Sequence, residues 1–228
     1  MEWWHMGIGG VLAAVCGLVA LRAVASSASS SASSGPTLEP LDLNAIRFVP
    51  ARFFKPGPPE GRQIDVLVFH TAETGEGPTS AEGVAAYFKD PRDQNGNPVM
   101  ASAHYSGDSN SIVQSVKDRD IAHAAPPMND HGLHFELAGR ANQSAEQWSD
   151  DFSRAELELA ARWAAAKAEA YAIPLKWVDR EGLKRGERGF TTHFEVSKAF
   201  GQSTHQDPGP NFPAARFLEL VGSVRKAA

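Results

Sequence analysis

Along the chain, apolar and polar positions fall into three regimes. Residues 6–25 (MGIGGVLAAVCGLVALRAVA) are apolar apart from Arg22. As a helix such a stretch extends about 30 Å, the thickness of a bilayer core. Residues 26–35 (SSASSSASSG) are a low-complexity flexible spacer. Beyond them, strand-like and helix-like patterns alternate. IDVLVFHT, Ile64 to Thr71, is a run of β-formers that predicts a buried strand. SAEGVAAYFKD predicts a helix with Ser80 as its N-cap. SAHYSG and SIVQSV flank DSN and predict a hairpin centred near Ser109. HGLHFELAG, His131 to Gly139, predicts a second strand. Its alternation puts Leu133, Phe135 and Leu137 on one face and Gly132, His134, Glu136 and Ala138 on the other. DFSRAELELAARWAAAKAEAYA predicts a long helix, with Ser153 and Glu156 as a capping box and Leu157, Ala160, Ala161 and Ala164 along one stripe. FPAARFLELVGSVRKA predicts the closing helix.

This alternation predicts an α/β fold, a single domain with a central mixed β-sheet flanked by helices, preceded by an N-terminal hydrophobic helix. The expected boundaries are 1–25 for a signal peptide or membrane anchor, 26–42 for a Ser-rich linker and 43–228 for the domain. The lead-in NAIRFVPARFFKPGPPEGRQ should lie over the domain surface. Residues 23–25 (AVA) fit a signal-peptidase site. However, MEWWH at the start carries no Lys or Arg, and Trp3 and Trp4 suit an interfacial belt, so an uncleaved anchor competes with a cleaved signal. Arg22 weakly favours retention on the cytoplasmic side. Either way the expectation is an exported or membrane-anchored protein of the cell envelope, a monomer, touching the membrane only through that helix.

Composition narrows this further. A hydrophobic share of 42% with 21% charged residues is globular. The net charge of -5 argues against a nucleic-acid partner, and the mild basic run Lys184 to Arg188 reads as a solvated loop. The one cysteine, Cys16, rules out an intrachain disulfide. What remains to carry chemistry is histidine and carboxylate. His70 ends the first strand, His193 follows GFTT, and His205 and Asp207 sit two apart in a Pro/Gly-rich loop. Imidazole and carboxylate gathered at one rim suit Zn²⁺, which takes nitrogen and oxygen ligands and keeps a position open for water when catalytic. Spacing alone leaves rim or core histidines as an alternative.

The blocks VFHTAE, SAHYSGDSNSIVQSVKDRDIAHAA, HGLHFELAG, TTHFEVS and HQDPGPNFP, taken in this order, resemble the zinc-dependent N-acetylmuramoyl-L-alanine amidases of the amidase-2 type, relatives of the peptidoglycan recognition proteins. The resemblance covers roughly Ile64 to Leu220. It implies His70, His193 and Asp207 as metal ligands and Glu136 as the group that activates water. Such enzymes usually carry a lysine two residues before the aspartate ligand; here His205 stands there, as an oxyanion stabiliser or a rival to Asp207 for the metal. The resemblance also brings His104 and His123 near the cleft, touching substrate or orienting other groups, while His134 shares a face with Glu136. The implied reaction is hydrolysis of the amide between N-acetylmuramic acid and L-alanine of the peptidoglycan stem peptide, an endolysin-like activity with zinc as cofactor. The alternatives are a non-catalytic peptidoglycan-binding module, a zinc peptidase or deacetylase on the same polymer, and a structural domain whose histidines only pack.

Overall fold

The structure, a computed structural model, describes residues 37–225. Six strands form one mixed sheet: β1 (Arg47–Phe48), β2 (Val66–Thr71), β3 (Tyr105–Gly107), β4 (Ile112–Gln114), β5 (Gly132–Leu137) and β6 (Gly189–Thr192). Their spatial order is β1-β4-β3-β5-β2-β6. Strand β2 lies between β5 and β6 and is parallel to both. It is buried at all its positions, which is why its sequence is a continuous apolar run rather than an alternating one. Strand β5 does alternate as expected, with Leu133, Phe135 and Leu137 entering the main apolar core.

Helices cover both faces: α1 (Ser80–Lys89), α2 (Asp151–Ala170), α3 (Arg180–Lys184), α4 (His193–Phe200) and α5 (Ala214–Ser223). On one face, Leu157, Ala160, Ala161 and Ala164 of α2 and Phe217 and Val221 of α5 pack with Leu67, Phe69 and Phe135. The Phe69 and Phe217 rings meet edge-on with centroids 4.7 Å apart. Fully burying a ring of this size contributes roughly 2–3 kcal/mol. On the other face, Val66 and Val68 pack against Val178, Leu183 and Val196, and Val113 against Ala81 and Ala85 of α1.

Several local expectations are corrected. Helix α1 starts at Ser80, with Thr79 in the cap position; the Ser80 hydroxyl donates instead to the Gly75 carbonyl. Helix α2 is capped by Asp150, whose carboxylate accepts the Ser153 N–H, so the Ser153–Glu156 box does not form. Glu156 turns inward and accepts the Ala138 N–H at 2.6 Å. The lead-in is not only a surface strap, because Arg47–Phe48 pairs in parallel with β4 as an edge strand. Packing begins before Leu43: Leu38 and Leu41 rest on the core. Leu38 bridges to Val224, its N–H donating to the Ser223 carbonyl and its carbonyl accepting from Arg225. The hydrophobic helix expected at 6–25 and Cys16 lie outside the described residues. Among the described residues, no helix is long and apolar enough to cross a membrane.

Candidate metal centre

Strand pairing builds the site. In the β2–β5 register His70 stands opposite Glu136, and in the β2–β6 register Phe69 stands opposite Thr192. His193, the next residue, is thereby delivered beside His70. It is the first residue of α4, not the end of a strand: the Thr192 hydroxyl caps the helix by accepting the Glu195 N–H at 3.3 Å. After α4, the chain returns so that the Asp207 carbonyl accepts the Phe194 N–H at 2.9 Å. The turn beyond needs glycine. Gly209 has φ +88°, and a Cβ there would fall 1.8 Å from the Ala141 carbonyl oxygen.

The three side chains converge. His70 Nδ1 lies 3.0 Å from Asp207 Oδ2, and His193 Nδ1 lies 3.2 Å from Asp207 Oδ1. One donor atom from each lies within 4.8 Å of the others, and all three residues are buried. The outward ring nitrogens are engaged as well: His70 Nε2 is 3.1 Å from His134 Nδ1, and His193 Nε2 is 3.1 Å from Ser203 Oγ. Burial works to raise the Asp207 carboxyl, but hydrogen bonds from His193, His205 and His70 overcome it and hold the group far below the usual carboxylate range. Burial pushes His70 down, against the pull of Asp207. Among the described residues, no Lys or Arg lines the adjoining cleft of about 500 Å³. A buried carboxylate faced only by imidazoles lacks a compensating cation. Two convergent imidazole nitrogens and a carboxylate oxygen are the donor chemistry zinc takes. The group His70, His193 and Asp207 can therefore hold a metal ion.

The other residues singled out from the sequence fall in distinct places. Glu136 lines the cleft, and burial, with the nearby carboxylates of Asp207 and Glu73, pushes its pKa well above the ordinary range. His205 stays on the rim, its side chain 68% exposed, stacked on His193 with centroids 4.6 Å apart and with Nδ1 3.4 Å from Asp207 Oδ1. Its hydrogen bond with Asp207 raises its pKa. His123 lines the cleft beside Ser102, whose hydroxyl accepts its backbone N–H. His104 has no exposed surface. Its Nδ1 accepts the His134 N–H and its Nε2 lies 3.0 Å from the Asp120 carbonyl, and burial lowers its pKa to about 3. His134 is likewise fully buried, and reaches His70 rather than Glu136.

Sequence reading missed Ser203, Glu73 and Arg62. Glu73 sits at φ 53° in the turn after β2 and accepts from the Thr71 hydroxyl and the Ala141 N–H at the cleft edge. Arg62 donates to the carbonyls of Asp118, Asn129, Asp130 and Gly132 and reaches His104, tying the loops beneath the histidines together. Local signals existed for one part only: Thr192-x-x-Glu195 marks the start of α4.

The profile of the amidase-2 family, N-acetylmuramoyl-L-alanine amidase, matches residues 60–210. Similar solved structures include the hydrolase AmiA of Staphylococcus aureus in complex with its ligand (TM-score 0.60, 18% identity, covering 80% of this chain and 84% of that one). Others are AmpD (TM-score 0.54, 23% identity, 79% and 96%) and the catalytic domain of XlyA (0.51, 16%, 78% and 98%). At these identities the likeness establishes the fold. No curated protein matches the chain. With the family profile spanning well over half its length, the chain belongs to the N-acetylmuramoyl-L-alanine amidases of the amidase-2 type.

Proposed function

We propose that the chain hydrolyses the amide between N-acetylmuramic acid and the L-alanine of the stem peptide with a zinc ion held by His70, His193 and Asp207. Family membership carries the reaction, and the convergence of these three buried donors carries the metal. When bound, zinc supplies a Lewis acid for the amide carbonyl and makes water nucleophilic near neutral pH. The rest falls to the chain's own side chains. Glu136 takes a proton from the attacking water as the new C–O bond forms. It returns that proton to the amide nitrogen as the C–N bond breaks, so the products are a lactyl carboxylate and a free L-alanine amine. His205, exposed on the rim with its Nδ1 3.4 Å from Asp207 Oδ1, stands where its ring can donate a hydrogen bond to the oxyanion as it develops. His123 and Glu73 lie along the cleft where the substrate passes.

The substrate lies outside the cytoplasmic membrane. The apolar segment 6–25 followed by the Ser-rich spacer supports an exported or membrane-tethered catalytic domain. The test is metal analysis with wall digestion and mass spectrometry on the full chain and on Glu136→Ala. The expected result is one zinc in each protein, and L-alanine N-termini released by the wild type alone. A wild type without zinc, or one that releases only other termini or deacetylated glycan, sinks the reading.

A further inference from the structure

We propose that His134 and Ser203 are positioning residues for the metal: each accepts the Nε2–H of one ligand histidine, which leaves the Nδ1 lone pairs of His70 and His193 turned toward the point they share with Asp207. The inference rests on the metal reading above.

An imidazole that coordinates through Nδ1 keeps its proton on Nε2, and the partner of that N–H fixes both tautomer and ring plane. Both Nδ1 atoms face Asp207; without metal they can donate to its carboxylate, and once a metal ion takes their lone pairs both Nε2 atoms carry the proton and need acceptors. For His70 the acceptor within reach is His134 Nδ1, at 3.1 Å. His134 is set on a central strand with no exposed surface. Its backbone N–H is bonded to His104 Nδ1, and the two rings stack at 5.6 Å with planes 15° apart. It cannot turn away without breaking that stack. Lending its Nδ1 lone pair to His70 obliges His134 to carry its own proton on Nε2, and that atom is buried without a partner. An N–H buried without a partner is unfavourable. Such a cost on a central strand is what a fixed His70 tautomer would require.

For His193 the acceptor is Ser203 Oγ, at 3.1 Å, which also accepts the His205 N–H at 3.1 Å. A hydroxyl oxygen has two lone pairs and can receive both. Ser203 therefore links the orientation of His193 to the turn that presents His205.

The experiment measures zinc affinity by chelator competition on the full chain, without reference to turnover. His134→Leu and Ser203→Ala should each weaken binding about 10–100-fold. His134→Asn, which keeps an acceptor oxygen near the Nδ1 position, and Ser203→Thr should stay within roughly threefold of wild type, well short of the loss expected when such a partner is removed. Ring ¹⁵N shifts of the zinc-loaded wild type should show His70, His193 and His134 all protonated on Nε2. Thermal unfolding of the metal-free variants reports folding separately. Should His134→Leu not fold, His134→Gln, which moves the acceptor off the Nδ1 position, takes its place. Folded variants that bind zinc as tightly as wild type overturn the inference while leaving the metal centre standing. A wild type that binds no zinc overturns both.

Discussion

Two carboxylates largely withdrawn from solvent, Asp118 and Asp207, sit in one domain and are neutralised in different ways. Asp118 accepts from the Lys167 ammonium at 2.6 Å, from the Tyr105 and Tyr171 hydroxyls at 2.6 and 2.9 Å, and from the Gln114 amide at 3.2 Å. Both oxygens are occupied, and the positive charge is the chain's own. Among the described residues, the ion-pair partners of Asp207 are all imidazoles. Burial works against both anions, and in both cases the partners win and the carboxyl is held low. At Asp118 the arrangement is closed, and any change loosens the fold. At Asp207 it is open: its partners offer lone pairs as readily as protons, so the missing cation can come from solution. Polar burial serves stability in the first place and ligand capture in the second.

Changes at each carboxylate test this contrast. The largest expected effect is at the open site. Asp207→Ala should abolish stoichiometric zinc and wall hydrolysis together, while the metal-free protein loses less unfolding free energy than a break at the Asp118 site causes. A large loss of metal-free stability would show that Asp207, too, holds the fold.

At the closed site the pattern should invert. Lys167→Met strands the Asp118 charge and should cost about 3–5 kcal/mol in denaturant unfolding. Zinc affinity should stay at the wild-type value.

An acid titration sharpens the comparison. The Asp118 carboxyl is depressed in the folded state, so its contribution is full above the unfolded value of about 3.9 and is lost as pH falls through the lower folded one. The stability advantage of wild type over Asp118→Asn/Lys167→Met should therefore hold at pH 6 and shrink steadily below about pH 4.

The smallest effect belongs to a third carboxylate, with the opposite sign. Glu156 is pushed well up by burial, and its Oε2 has no partner. A raised folded value contributes stability at low pH that is lost as pH rises above the unfolded value near 4.3. Glu156→Gln keeps an acceptor for the Ala138 N–H and should raise Tm at pH 7 by about 2–4 °C. The gain should vanish near pH 3.

Much of this was legible in the chain because it is written at short range. The alternation of β5 separated Leu133, Phe135 and Leu137 from His134 and Glu136, and the structure keeps that division. His70, His193 and Asp207 were marked by their blocks and do converge. What escaped depends on strand order or on competition between neighbours. His134 meets His70 only because β5 lies beside β2. Ser203 reaches His193 through a loop with no periodic pattern. Ser153 and Asp150 were rival caps for one helix: Asp150 has the extended backbone a cap needs, and the Ser153 hydroxyl is drawn to Glu76. Helix α4 was hidden because the β-formers of GFTT run directly into it.

The bridge between Leu38 and Val224 brings the first and last described stretches of backbone together. From Leu38 to Val224 the backbone path is thus nearly a closed ring, and the point at which that ring is cut is incidental to its shape. Splicing the two ends and reopening the ring at the exposed Asp93–Asn97 turn would reorder the genetic text while leaving the same strands side by side.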